Sequence, residues 1–162
     1  MIGMPGVGKS TIGVVLAKLL GYRFVDADLV IQEQEGRLLR EIIDEAGTEG
    51  FIEVENRINS RIETEHAVIA TGGSVVYGAE AMAHLKELGT VLYLRLPYGE
   101  LCRRLGDIKG RGVVLREGQT LRELYEERAP LYEKYADLTV DEHGLTVEQT
   151  IEKIMELKEY FA

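Results

Sequence analysis

Eight residues near the start, Gly3-Met4-Pro5-Gly6-Val7-Gly8-Lys9-Ser10, constrain this chain more than any other stretch. They fill the phosphate-loop pattern of Gly, four residues, Gly, Lys and Ser or Thr. Glycines admit backbone dihedrals that a side chain would block, so consecutive N–H groups can turn inward around an anion. Lys9 adds a charge that follows β- and γ-phosphates, and Ser10 puts a hydroxyl where Mg²⁺ sits in such loops. The stretch from Ser10 to Leu20 has helical apolar spacing and stops at Gly21, so a helix N-terminus is aimed at the same phosphates. A chance match in so short a chain has odds of roughly one in a hundred or less at average glycine frequency. Gly6, Val7, Gly8, Lys9, Ser10 and Thr11 are therefore the expected nucleotide cradle.

Charge narrows the partners. With 19 Lys and Arg against 28 Asp and Glu, the net charge is −9. A chain this acidic is unsuited to general nucleic-acid binding, which depends on neutralising phosphates with excess cations. A bound anion must instead meet a local cluster of cations. Cys102 is the single cysteine, which excludes an internal disulfide and suits a reducing compartment. No apolar run is long enough to span a bilayer, so the expected location is cytoplasmic. The 162 residues suit one domain with a substantial core, without linker or repeat.

Along the chain, short apolar strands alternate with helices, the pattern of a parallel sheet covered on both faces. Only Met1 and Ile2 precede the phosphate loop, where a buried strand normally fixes the loop's direction, so the first strand reads as truncated and the natural start as lying upstream. Tyr22 to Asp26 reads as a strand ending in Asp26-Ala27-Asp28. Ligands of such folds gather at the carboxyl ends of strands. Asp26 is thus a candidate to hold Mg²⁺ with Ser10, and Asp28 to accept a hydroxyl proton. The competing role for Asp28 is capping the helix that follows. Two amphipathic helices, broken at Gly47, are expected between Leu38 and Arg61, with their charges on a solvated face. Ala67–Thr71 reads as a buried strand leading to Gly72-Gly73, where a ligand could approach the backbone. Beyond the helix Ala79–Leu88 and the strand Thr90–Leu94, Glu100–Leu105 carries paired arginines. A glycine-bearing segment around Arg111 has the make-up of a lid. Thr120–Tyr135 reads as a helix kinked or broken by Pro130, followed by a strand at Leu138–Val140 and a terminal helix from Thr146.

The loop Gly3–Ser10, the Asp26 and Asp28 pair, Thr71-Gly72-Gly73, the segment around Arg111 and Arg128-Ala129-Pro130-Leu131-Tyr132 together resemble the shikimate kinase family over essentially the whole chain. The resemblance implies an α/β P-loop kinase with a five-stranded parallel sheet, a helical substrate-binding region at about 29–65 and a lid at about 107–119. It implies transfer of the γ-phosphate of ATP, with Mg²⁺, to a hydroxyl of shikimate in aromatic amino acid biosynthesis, by a monomer. Carried over residue by residue, Lys9, Asp28 and Arg111 are catalytic, and Arg104 stacks on adenine. Asp28, Gly72, Gly73 and Arg128 bind the substrate, Arg128 through its carboxylate, while Ser10 and Asp26 hold the metal.

Three positions depart from the family pattern. Where the family has an arginine after the phenylalanine matching Phe51, a second carboxylate ligand, this chain has Ile52. Arg57 and Arg61 follow it at about 140° and 180° around a helix, on other faces. The third glycine of the family turn is Ser74, and Arg-Gly-Val at 111–113 stands for the usual Arg-Pro-Leu. Shikimate is the leading acceptor. A different small hydroxy acid is the alternative that Ile52 motivates, and a non-catalytic nucleotide-binding module is the third reading.

Overall fold

In the computed structural model, which describes residues 1–106, 113 and 115–161, four short parallel strands run between helices. Strand β1 (Arg23–Asp26) pairs with β2 (Ala67–Ala70), and β3 (Leu92–Arg95) pairs with β4 (Leu138–Asp141). Met1 and Ile2 join the two pairs. Met1 N donates to Ile69 O at 2.7 Å and Met1 O accepts from Thr71 N at 3.3 Å, while Ile2 N donates to Leu92 O at 2.8 Å and Leu94 N to Ile2 O at 3.0 Å. A single bridge, Ile2 to Tyr93, stands where the family resemblance implies a fifth strand and the sequence reads as a truncated one. Ile2 is 1 % exposed, so this stub passes through the middle of the core and delivers the chain into the phosphate loop.

The helices follow the apolar spacing. Helix α1 (Lys9–Leu20) packs on β1 and β2, burying Ile12, Leu16 and Ala17, and ends at Gly21 with φ 70°. Helices α2 (Ala27–Glu35) and α3 (Leu39–Asn59) pack together around a smaller core of Ile31, Ile42, Phe51 and Ile58. As expected, the helical run is interrupted at Gly47, whose φ 71° and ψ 179° are not helical and suit glycine alone, so α3 is two helical stretches meeting at a kink. The bend keeps Leu39 and Ile43 on one side of it, and Phe51 and Glu55 on the other, along the same cavity.

Helices α4 (Ala79–Leu88), α5 (Tyr98–Leu105), α6 (Leu121–Tyr135) and α7 (Val147–Glu156) complete the fold. Pro130 does not break α6. It sits on the exposed face, so the carbonyl it leaves without a helical partner faces water. The opposite face buries Leu121, Leu124, Arg128 and Tyr132, spaced by three and four residues. Tyr132 stacks on Tyr93 of β3 with ring centroids 5.2 Å apart, which fixes where Arg128, one turn earlier, projects. Each buried aliphatic side chain of the main core contributes about 1.5–3 kcal/mol. No helix of the described residues is long and apolar enough to cross a membrane.

Candidate active site

A cavity of about 310 Å³ opens at the carboxyl ends of the stub, β1 and β2. The phosphate loop forms one end of it. Gly3 takes φ 147°, and a Cβ there would lie 2.7 Å from Leu94 O, so only glycine lets the loop leave the sheet this tightly. Gly8 caps α1 with its own left-handed backbone rather than with a side chain, leaving the first amides of the helix turned toward the cavity. Lys9 is 8 % exposed, and its Nζ donates to Gly3 O at 2.7 Å and Met4 O at 2.9 Å. Burial lowers its pKa to about 8, with Asp28 opposing the shift. Gly6, Gly8, Ser10 and Thr11 line the same end, and Val7 is buried beneath it.

Ser10 Oγ donates to Asp26 Oδ2 at 3.1 Å. The other carboxylate oxygen of Asp26 accepts from Asp28 N at 3.0 Å and Leu29 N at 3.4 Å, so Asp26 is the cap of α2. That settles the competing role considered for Asp28: it stands in the first turn, uncapped, and lines the cavity. Burial and the neighbouring Asp26 push its pKa up, and Lys9 pulls it down.

At the far end Arg128 is 2 % exposed, its Nε donating to Tyr77 Oη at 3.4 Å and its guanidinium 5.3 Å from the Tyr77 ring centroid. Gly73 passes between this arginine and the phosphate loop. A Cβ there would sit 2.7 Å from Pro5 Cδ and 3.0 Å from Arg128 Nη1. Tyr132 Oη donates to Gly73 O at 2.6 Å and holds the turn in place. Ile52 does not line the cavity, and Arg57 is tied to Glu35 at 2.7 Å on the surface, so neither supplies a second guanidinium.

Arg104 lies apart from the cavity, beside the loop backbone. Its Nη1 is 3.3 Å from Val7 O, to which it donates, and 3.6 Å from Glu142 Oε1. Arg111 lies outside the described residues, as does most of the stretch expected to form the lid.

Two buried carboxylates escaped the sequence reading, Glu55 in the cavity wall and Glu142 outside it. Glu55 was expected on a solvated face but is 1 % exposed, its Oε2 accepting from Ser74 Oγ at 2.5 Å. Burial raises its pKa to about 7, against the Ser74 hydrogen bond. The signal was its place between Phe51 and Ile58, in the middle of an apolar helical stripe. Glu142, at the end of β4, is also 1 % exposed and raised to about 7 by burial, with Arg104 opposing the shift.

The arrangement brings a phosphate cradle, an unpaired carboxylate and a buried guanidinium to one cavity. A profile described as shikimate kinase matches residues 5–158 of the chain. The shikimate kinase of Thermodesulfovibrio yellowstonii is 39 % identical over 99 % of this chain and 92 % of its own length, and that of Persephonella marina 33 % identical over 96 % and 94 %. Among solved structures, the shikimate kinase of Acinetobacter baumannii in complex with shikimate superposes with a TM-score of 0.85 at 33 % identity, covering 96 % of this chain and 89 % of that one. The Aquifex aeolicus shikimate kinase gives a TM-score of 0.82 at 31 % identity, over 98 % and 94 %.

Proposed function

The chain belongs to the shikimate kinase family, and on that premise we propose that it transfers the γ-phosphate of ATP to a ring hydroxyl of shikimate, in the cytoplasm and as a monomer. The observation that carries this reading is the placement of Lys9, Asp28 and Arg128 around one 310 Å³ cavity. The amides of the loop and Lys9 hold the β- and γ-phosphates. Arg128 fixes the acceptor carboxylate by a charge-assisted bond, which sets the ring against Gly72 and Gly73. Asp28 takes the hydroxyl proton as the oxygen attacks phosphorus and the bond to the ADP oxygen breaks. Burial and Asp26 raise its proton affinity, which makes it a stronger base than an exposed aspartate. Phosphoryl transfer needs positioning and charge neutralisation more than covalent help, and these groups supply both.

The oxygens of Ser10 and Asp26, 3.1 Å apart, fit Mg²⁺, which takes one or two protein oxygens and completes its shell with phosphate and water. Bound there with ATP, the ion neutralises charge on the transferring phosphate. Arg104, beside the loop backbone, stacks on the base.

The test is ADP release with Mg·ATP and a panel of hydroxy acids, run beside Asp28→Asn. Turnover of shikimate that the variant abolishes is the expected result; ADP release indifferent to Asp28, or no phosphorylated product, overturns it. One observation favours a second reading, another small hydroxy acid as acceptor: at Ile52 the second guanidinium of the family is absent. Ile52→Arg then separates the two. If shikimate is the acceptor, its KM falls by up to about tenfold with kcat unchanged, as one added charge-assisted bond predicts. If it is not, the variant gains nothing.

A further inference from the structure

Glu142 lies buried just beyond β4 and takes no part in the transfer assigned to Lys9 and Asp28. A carboxylate is rarely buried so deeply without a cation. Among the described residues, Arg104 of α5 is the cation in ion-pair range, its Nη1 3.6 Å from Glu142 Oε1. The backbone beneath the carboxylate is fixed: Glu142 N donates to Arg95 O at 2.9 Å, and Glu142 O accepts from Leu145 N at 2.9 Å. The same turn is tied to α5 a second time. Glu100, one helical turn before Arg104 and on the same face, accepts from Gly144 N at 3.3 Å and meets His143 Nδ1 at 2.5 Å. Two contacts four residues apart therefore lock α5 against the end of β4.

The guanidinium of Arg104 is held by its edge. Its Nη1 donates to Val7 O of the phosphate loop at 3.3 Å and faces Glu142 as well. Contacts along the edge of a planar fork fix its tilt and leave its faces for stacking. Without the carboxylate, one neutral acceptor would have to hold a long side chain that regains its rotamer freedom. On the reading that Arg104 stacks on the base, we propose that Glu142 is a positioning residue whose buried carboxylate sets the plane of that guanidinium beside the phosphate loop, so that the base meets a stacking surface already in place. The hold depends on charge. Arg104 from α5 and Lys9 from α1 favour the ionised carboxyl, while burial and Asp141 oppose it. Asp141 is itself bonded to Arg95 of β3 and, through its carbonyl, to Lys153 of α7. With burial bringing the Glu142 pKa to about 7, the ion pair is present above that pH and lost below it.

The experiment measures by calorimetry what the base adds to affinity, as the Kd of ribose 5-diphosphate divided by that of ADP, which has the same phosphates and sugar. Arg104→Met should lower this ratio about tenfold. Glu142→Gln should lower it about threefold, as expected for a partly exposed pair. The double variant should fall no further than Arg104→Met alone, because Glu142 acts through Arg104; losses that multiply overturn the inference. In the parent the ratio should also fall between about pH 8 and about pH 6 and stay level in Glu142→Gln, and an equal fall in both proteins overturns it. The side chain of Arg104 is followed separately by ¹⁵N NMR. Restricted guanidinium rotation is expected in the parent and lost in Glu142→Gln; equal restriction in both counts against the proposal. If Arg104→Met leaves the ratio unchanged while Glu142→Gln frees the guanidinium, the base-stacking assignment fails and the positioning by Glu142 stands.

Discussion

Around the phosphate loop, the residues lining the cavity come from one short stretch of chain, Gly6, Gly8, Lys9 and Ser10 among them, set by glycine dihedrals and by hydrogen bonds from Lys9 to Gly3 O and Met4 O. At the acceptor end they are side chains from three helices: Asp28 on α2, Glu55 on α3 and Arg128 on α6. The first arrangement is contained in eight consecutive residues and needs little from the rest of the chain. The second exists only once distant helices have packed, and it buries charged groups at a cost the fold must carry. Backbone construction gives a fixed anion site; side-chain construction gives one that can be retuned by single substitutions such as those at positions 52 and 74.

Substitutions at the two ends should therefore fail differently. The largest effect is expected from Lys9→Met, which removes a positioned charge: kcat falls about a hundred- to a thousandfold while acceptor binding, measured by calorimetry, stays close to normal. Acceptor affinity collapsing as well would show that the ends are not separable. Arg128→Leu should act the other way round, raising the acceptor KM about ten- to a hundredfold and leaving the KM for ATP nearly unchanged.

Smaller effects concern stability. Glu55 and Glu142 hold their protons in the folded protein up to about pH 7, whereas the ordinary value is 4.5. The folded state thus binds more protons than the unfolded one between these limits, and stability should fall as pH rises through that window. Glu142→Gln, away from the acceptor, should flatten part of this decline in urea titrations from pH 4.5 to 7; a slope identical to the parent would show that Glu142 ionises normally. Tyr132→Phe comes last. Losing its bond to Gly73 O should cost about 1 kcal/mol and lower Tm by a few degrees, with the acceptor KM rising more than the KM for ATP.

The difference in construction also explains what could be read before folding. The place of Gly3 to Ser10 at the carboxyl end of the sheet was legible because the motif is local, and so was that of Asp26 and Asp28, which need only the strand end they share. Which aspartate caps α2 was not decidable from spacing, since residues 26 and 28 both suit the role; the hydrogen bonds to Asp28 N and Leu29 N decide it. Glu55 was hidden because one acidic residue among many on a helix looks like solvated surface until Ser74, nineteen residues later, folds over it. The break at Gly47 was legible because it rests on one residue's backbone freedom, φ 71° with ψ 179°. Pro130 was not: whether proline breaks a helix depends on which face it occupies, and that follows from the packing of Tyr132 on Tyr93.

Gly73 has a consequence for how the two ends meet. Between Pro5 and Arg128 runs a single main chain, on which a Cβ would come within 2.7 and 3.0 Å of the two sides, leaving no room for a methyl group. The thinness of that wall sets the gauge of the chamber: any side chain at position 73 would push on the loop and on the guanidinium together, whereas changes confined to one end leave the wall as it is.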